Sequence, residues 1–137
     1  MVTAVDTNIL IDILRADPKF GATSREALKR CRSEGGLIAC EVVWAELRAG
    51  ARSGDQLKRV LDSIGLEFTP MDRDASLDAG RAWRAYRQRG GRRTRIVSDF
   101  LIAAHARRNA ERLLTRDRGF YAEYFRNLSV LDPSRTT

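Results

Sequence analysis

The sequence predicts an α/β fold, with a parallel sheet covered by helices on both faces. Short apolar runs recur along the chain, segments of helical periodicity stand between them, and Gly or Pro marks most of the junctions. Val2 to Val5 is the first apolar strand, and Asn8 to Leu14 is a helix that ends before Asp17-Pro18. Ser24 to Arg32 is a second helix, with Ala27, Leu28 and Cys31 on its inner stripe. Gly35-Gly36 breaks the chain ahead of a buried strand, Leu37 to Cys40. Glu41 to Ala51 is helical, Ser53-Gly54-Asp55 is a break and a new cap, and the helix Gln56 to Ile64 is closed by Gly65. Leu66 to Thr69 is a strand stopped by Pro70, and Asp74 to Gln88 a longer helix with Ala75, Ala79, Trp83 and Tyr86 on one face. After Gly90-Gly91, Val97 to Arg108 is a mostly apolar helix capped by Ser98. Arg112 to Thr115 and Leu128 to Leu131 are the last strands.

A chain of 137 residues without repeats or a linker is expected to form one domain over 1–137. No apolar stretch is long enough to span a membrane, and Met1 leads straight into a strand, so a cytoplasmic protein is expected. The two cysteines, Cys31 and Cys40, fit no metal-ligand spacing and read as reduced, buried thiols. The net charge of +7 suggests a polyanionic partner. The excess gathers in seven arginines from Arg81 to Arg95. Arg81 and Arg84 lie opposite the Trp83/Tyr86 stripe, as a solvated face does. Arg92, Arg93 and Arg95, in the loop before Asp99, are the better phosphate-binding candidates.

Four carboxylates stand where a predicted element meets a loop: Asp6, Glu46, Asp99 and Asp117. A charge at the edge of a core is unfavourable unless it is paired or holds a cation. In parallel α/β sheets ligands gather at the carboxyl ends of the strands, and the order of elements lets all four acids converge there. Each also has a plainer reading. Asp6 is a good helix cap, Asp99 suits a helix's first turn, and Asp117 suits a turn. Glu46 is the least easily explained, because Val42, Val43, Ala49 and Gly50 are its neighbours on one helix face. A shared divalent metal would neutralise the group. The lone histidine, His105, rules out a paired-histidine cleavage mechanism, and no phosphate-binding glycine loop or nucleophile elbow is present.

Val5-Asp6-Thr7-Asn8-Ile9-Leu10-Ile11-Asp12, Glu46-Leu47, Ser98-Asp99-Phe100-Leu101-Ile102-Ala103-Ala104-His105-Ala106 and Leu114-Thr115-Arg116-Asp117-Arg118-Gly119-Phe120 resemble, in order, the motifs of the PIN-domain family. The likeness is greatest to VapC-type toxins of bacterial toxin–antitoxin pairs. It implies a three-layer α/β/α domain and a ribonuclease that depends on Mg²⁺ or Mn²⁺. By residue, it implies that Asp6, Glu46, Asp99 and Asp117 are catalytic and hold the metal, with Asn8 and Thr115 as supporting polar positions. Some relatives carry a further acid near Gly119, which this chain lacks. The resemblance also implies an RNA substrate, a cognate antitoxin covering the site, and a homodimer.

The expected reaction is metal-assisted hydrolysis of an RNA phosphodiester. Two other readings fit part of the pattern. A metal-dependent phosphatase with a strand-end aspartate nucleophile would want an acid where Asn8 stands. A non-catalytic basic nucleic-acid-binding module would explain the charge but not Glu46.

Overall fold

Each predicted strand takes its place in one parallel sheet. A computed structural model describes residues 1–92 and 95–135. Its elements run β1 (Thr3–Val5), α1 (Thr7–Leu14), α2 (Gly21–Glu34), β2 (Leu37–Ala39), α3 (Glu41–Gly50) and α4 (Gly54–Ser63). They continue with β3 (Leu66–Phe68), α5 (Arg73–Gln88), α6 (Val97–Asn109), β4 (Arg112–Leu114), α7 (Arg118–Tyr124) and β5 (Val130–Leu131). The strand order is β3-β2-β1-β4-β5, and all neighbouring pairs are parallel. Helices flank the sheet in a three-layer α/β/α arrangement.

This order places the site. From β1 the chain runs outward through β2 and β3, then returns to the other side of β1 as β4 and β5. The reversal lies between β1 and β4, where connections leave in opposite directions and open a crevice at the strands' carboxyl ends. Val5 is in register with Leu114, so Asp6 and Thr115 leave the sheet side by side. The Asp6 N–H donates to the Leu114 carbonyl at 3.0 Å. Beneath them Val5, Leu37, Leu113 and Leu114 are fully buried, and burial of each such side chain is worth about 1.5–3 kcal/mol. Cys31 and Cys40 are free and buried, as expected.

Several expectations need correction. Ser98 does not cap α6: the cap residue is Ile96, whose N–H donates to the Asp99 carboxylate at 3.2 Å, so the acid at the third position of the helix performs the capping. The apolar face assigned to Glu46 is also narrower than expected. Val43 and Leu47 form the buried stripe of α3, while Ala49 and Gly50 are exposed and Glu46 is half-buried at the stripe's edge. The last strand is shorter than Leu128 to Leu131, because the ladder begins with Leu113 donating to Ser129. Finally, 118–124 forms a helix, α7, where none was predicted.

Candidate active site

Asp6 sits at the hinge between β1 and α1. Its extended backbone ends the strand, and its Oδ1 caps α1 by accepting the Thr7 N–H at 2.7 Å. Its other oxygen, Oδ2, accepts from the Thr115 hydroxyl at 2.7 Å, the Tyr121 hydroxyl at 3.0 Å and the Asn8 amide at 3.4 Å. All of these donors are neutral. Only 5% of Asp6 is exposed, and among the described residues no cationic side chain pairs with it. Burial pushes its pKa up to about 6 against the pull of the Thr115, Tyr121 and Thr7 hydrogen bonds, and the Asp99 charge adds to the rise. The carboxylate that caps α1 is thus also the buried, raised-pKa acid at the sheet edge.

Asn8 and Thr115 brace this acid. The Asn8 amide also donates to Thr115 Oγ1 at 3.3 Å, and its Oδ1 accepts the Arg116 N–H at 3.3 Å. Thr115 Oγ1 accepts the Asp117 N–H at 3.0 Å while donating to Asp6. Both lines of contact tie the end of β4 to the start of α1. Glu46, in the second turn of α3, reaches the same edge and accepts the Thr7 hydroxyl at 2.7 Å. Asp99 enters from the first turn of α6. Burial raises its pKa, with the charges of Asp117 and Glu46 adding and the Ile96 N–H and Arg95 opposing.

Asp117 is differently engaged. Arg95 grips it with two prongs, Nη2 donating to Oδ1 at 2.8 Å and Nη1 donating to Oδ2. The guanidinium carbon lies 4.2 Å from the centre of the Phe120 ring. Contact with Asp117 raises the Arg95 pKa against partial burial, and the charge of Asp99 acts the same way. Arg92 is exposed, and its carbonyl accepts the Tyr86 hydroxyl at 2.5 Å. Arg93 lies outside the described residues.

The four expected acids therefore share one edge and feel one another's charge. Among the described residues, however, no three acidic, histidine or cysteine side chains close into a ready metal cage. Each acid has its own hydrogen-bond donor: Asp6 hydroxyls and amides, Glu46 the Thr7 hydroxyl, Asp99 an N–H at its helix end and Asp117 the Arg95 guanidinium. Two residues of the site were not expected from the sequence. Thr7 holds Glu46, and its only sequence signal is its place between Asp6 and Asn8. Tyr121 holds Asp6 from one helical turn beyond Asp117, and was hidden because α7 itself was missed. Burial, with Asp6 and Asp99 beside it, pushes the Tyr121 phenol well above its ordinary pKa, so it remains a neutral donor.

A family model described as PIN domain matches residues 3–125. The chain belongs to the PIN domain family. Comparison with curated proteins returns no match. Among solved structures, this PIN domain is similar to a chain of VapBC2 from Rickettsia felis bound to a DNA fragment from their promoter. The identity there is 23% and the TM-score 0.76, over 96% of this chain and 98% of that one. It is similar to a chain of VapBC-1 from nontypeable Haemophilus influenzae at 21% identity and TM-score 0.73, over 98% and 100%. A third likeness, at 25% identity and TM-score 0.62 over 96% and 98%, is to VapBC-5 from Mycobacterium tuberculosis, a member of the VapBC family of toxin–antitoxin systems.

Proposed function

We propose that this PIN domain is the toxin of a toxin–antitoxin pair, a metal-dependent endoribonuclease that hydrolyses RNA phosphodiester bonds. Asp6 carries the reading. It is a buried carboxylate with only neutral donors among the described residues, and the charge of a second raised-pKa acid, Asp99, acts on it. Such a pair fits a divalent cation, because an ion would relieve both the desolvation of Asp6 and its repulsion from Asp99. Asp6 and Asp99 would hold it, with Glu46 as a third donor once it leaves the Thr7 hydroxyl; Mg²⁺ suits an all-oxygen set, and Mn²⁺ would substitute. When bound, the ion would make a coordinated water nucleophilic and offset charge developing on the phosphate.

The chain's own residues do the placing. Thr115, Tyr121 and Asn8 fix Asp6 on one rotamer, and the N-terminal end of α6 presents Asp99. The fourth acid, Asp117, enters through its guanidinium partner. The basic loop carrying Arg92, Arg93 and Arg95 would receive the RNA backbone. Attack by water, not by the neighbouring 2′-hydroxyl, leaves a 5′-phosphate and a 3′-hydroxyl.

The partner reading is supported by the toxin–antitoxin likenesses and by a groove of about 350 Å³ beside the site. Ile11, Leu14, Leu47 and Leu57 line it and Glu46 stands on its wall, so an apolar antitoxin segment seated there would reach the acids. A homodimer belongs to the same proposal. The phosphatase alternative is disfavoured by Asn8, which is committed to Thr115 and Arg116 and supplies no acid.

The test is cleavage of labelled structured RNAs by antitoxin-free protein, with Mg²⁺ and then with chelator. Discrete cuts are expected that disappear with chelator and in folded Asp6→Asn and Asp99→Asn variants. Wild-type cleavage by either variant would overturn the assignment. RNA held but uncut under all conditions would instead establish the non-catalytic binding module.

A further inference from the structure

The acid expected to complete the metal set carries a guanidinium instead. Both Asp117 oxygens are occupied by Arg95, and both groups are about seven-tenths buried at the mouth of the site. The arrangement is braced from every side. The Phe120 ring supports the guanidinium plane at 4.2 Å. The Asp117 N–H is fixed on Thr115 at 3.0 Å, and the Arg95 N–H donates to the Arg92 carbonyl at 3.3 Å, the same carbonyl that Tyr86 holds. Of the five N–H groups of the guanidinium, Asp117 takes two. Those remaining make no hydrogen bond among the described residues and can meet a ligand oxygen.

We propose that Asp117 is a positioning residue for Arg95, that Arg95 contacts an RNA phosphate beside the reacting bond, and that the metal set consists of Asp6, Glu46 and Asp99 alone. A metal taking Asp117 would share the carboxylate with a cationic two-pronged partner, so that Arg95 and the ion would repel one another across it. A phosphate oxygen meets no such obstacle: a guanidinium held on one edge by a carboxylate presents its other edge in fixed orientation. Mg²⁺ keeps several of its waters, so three acids are sufficient. The phosphate part of this inference rests on the ribonuclease reading, whereas the metal part does not.

The experiment has two arms. Calorimetric titration with Mn²⁺, without RNA, compares wild type with Asp99→Asn and Asp117→Asn. Anisotropy of a fluorescent hairpin RNA in chelator compares wild type with Asp117→Asn, Arg95→Ala, Arg95→Lys and the Arg95→Ala/Asp117→Asn double variant. Asp117→Asn is expected to keep wild-type Mn²⁺ affinity, while Asp99→Asn loses about tenfold or more. Each single variant in the RNA arm is expected to weaken binding about tenfold, the scale of one charge-assisted contact, and the double variant no further than Arg95→Ala. Arg95→Lys keeps the charge and spares the fold but lacks the fork, so it should lose affinity as well. Equal loss of Mn²⁺ affinity in Asp117→Asn and Asp99→Asn, or unchanged RNA affinity in both Arg95 variants, overturns the inference. Were the wild type to bind no RNA, the ribonuclease reading would fail while the Mn²⁺ arm still decided the role of Asp117.

Discussion

The Asp6 carboxylate is held by four neutral donors in a buried niche, and its protonation therefore bears on folding. Its pKa is about 6 in the folded state against 3.8 ordinarily, so the folded chain binds its proton more tightly than the unfolded chain. The stabilising contribution is fully present below about pH 4 and is lost as pH rises through about 6. On this basis metal-free protein is destabilised at neutral pH by an amount on the order of 2–3 kcal/mol, relative to a form that keeps the niche uncharged. Denaturant unfolding of wild type and Asp6→Asn across this range, without metal, should show the wild type losing ground as pH rises. Taking the difference between the two cancels His105, whose burial-lowered pKa acts in the opposite direction. Added Mn²⁺ should reverse the trend in the wild type alone. A pH-independent difference would show that the carboxylate is not ionising in that window.

At the level of elements, the connection from β4 to α7 depends on a buried ion pair. Asp12, only 3% exposed in α1, accepts from Arg116 Nε at 2.6 Å and Nη2 at 3.0 Å, and from the Ser24 hydroxyl of α2 at 2.9 Å. Phe20 lies under the guanidinium, 4.0 Å from ring centre to carbon. Three segments are thus pinned to the loop that carries Thr115 and Asp117. Asp12→Asn should cost roughly 1–3 kcal/mol in urea unfolding, because it leaves a partly buried cation without its anion. Such long-range contacts also explain what the sequence could not disclose. The strands were legible because each is a short apolar run between chain breaks, and Asp6 and Asp99 stood out as acids at the junctions of such runs with helices. α7 was illegible: Gly119 weakens it, and it is held mainly by Phe120 packing on Phe100 and Tyr86 at 5.2 and 6.1 Å, rings distant in sequence. The partnership of Arg95 with Asp117, 22 residues apart, left no local trace, and so Asp117 was expected among the metal-holding acids with no sign of its guanidinium partner.

For the whole molecule, the dominant property is a net charge of +7 on a fold whose site is itself acidic. If the chain binds RNA as proposed, the affinity must come from arginines around the acids and involve release of condensed counterions. RNA binding in chelator should fall by at least about tenfold between roughly 50 and 200 mM salt, linearly in logarithmic units. A salt-insensitive affinity would show that phosphates are not the group recognised. The topology has a consequence in time. Asp6 leaves the ribosome more than a hundred residues before the groups that orient it, Thr115 just past β4 and Tyr121 in α7. On the ribonuclease reading proposed above, an elongating chain displays its first acid without a site around it, and cleavage waits until the central sheet can close.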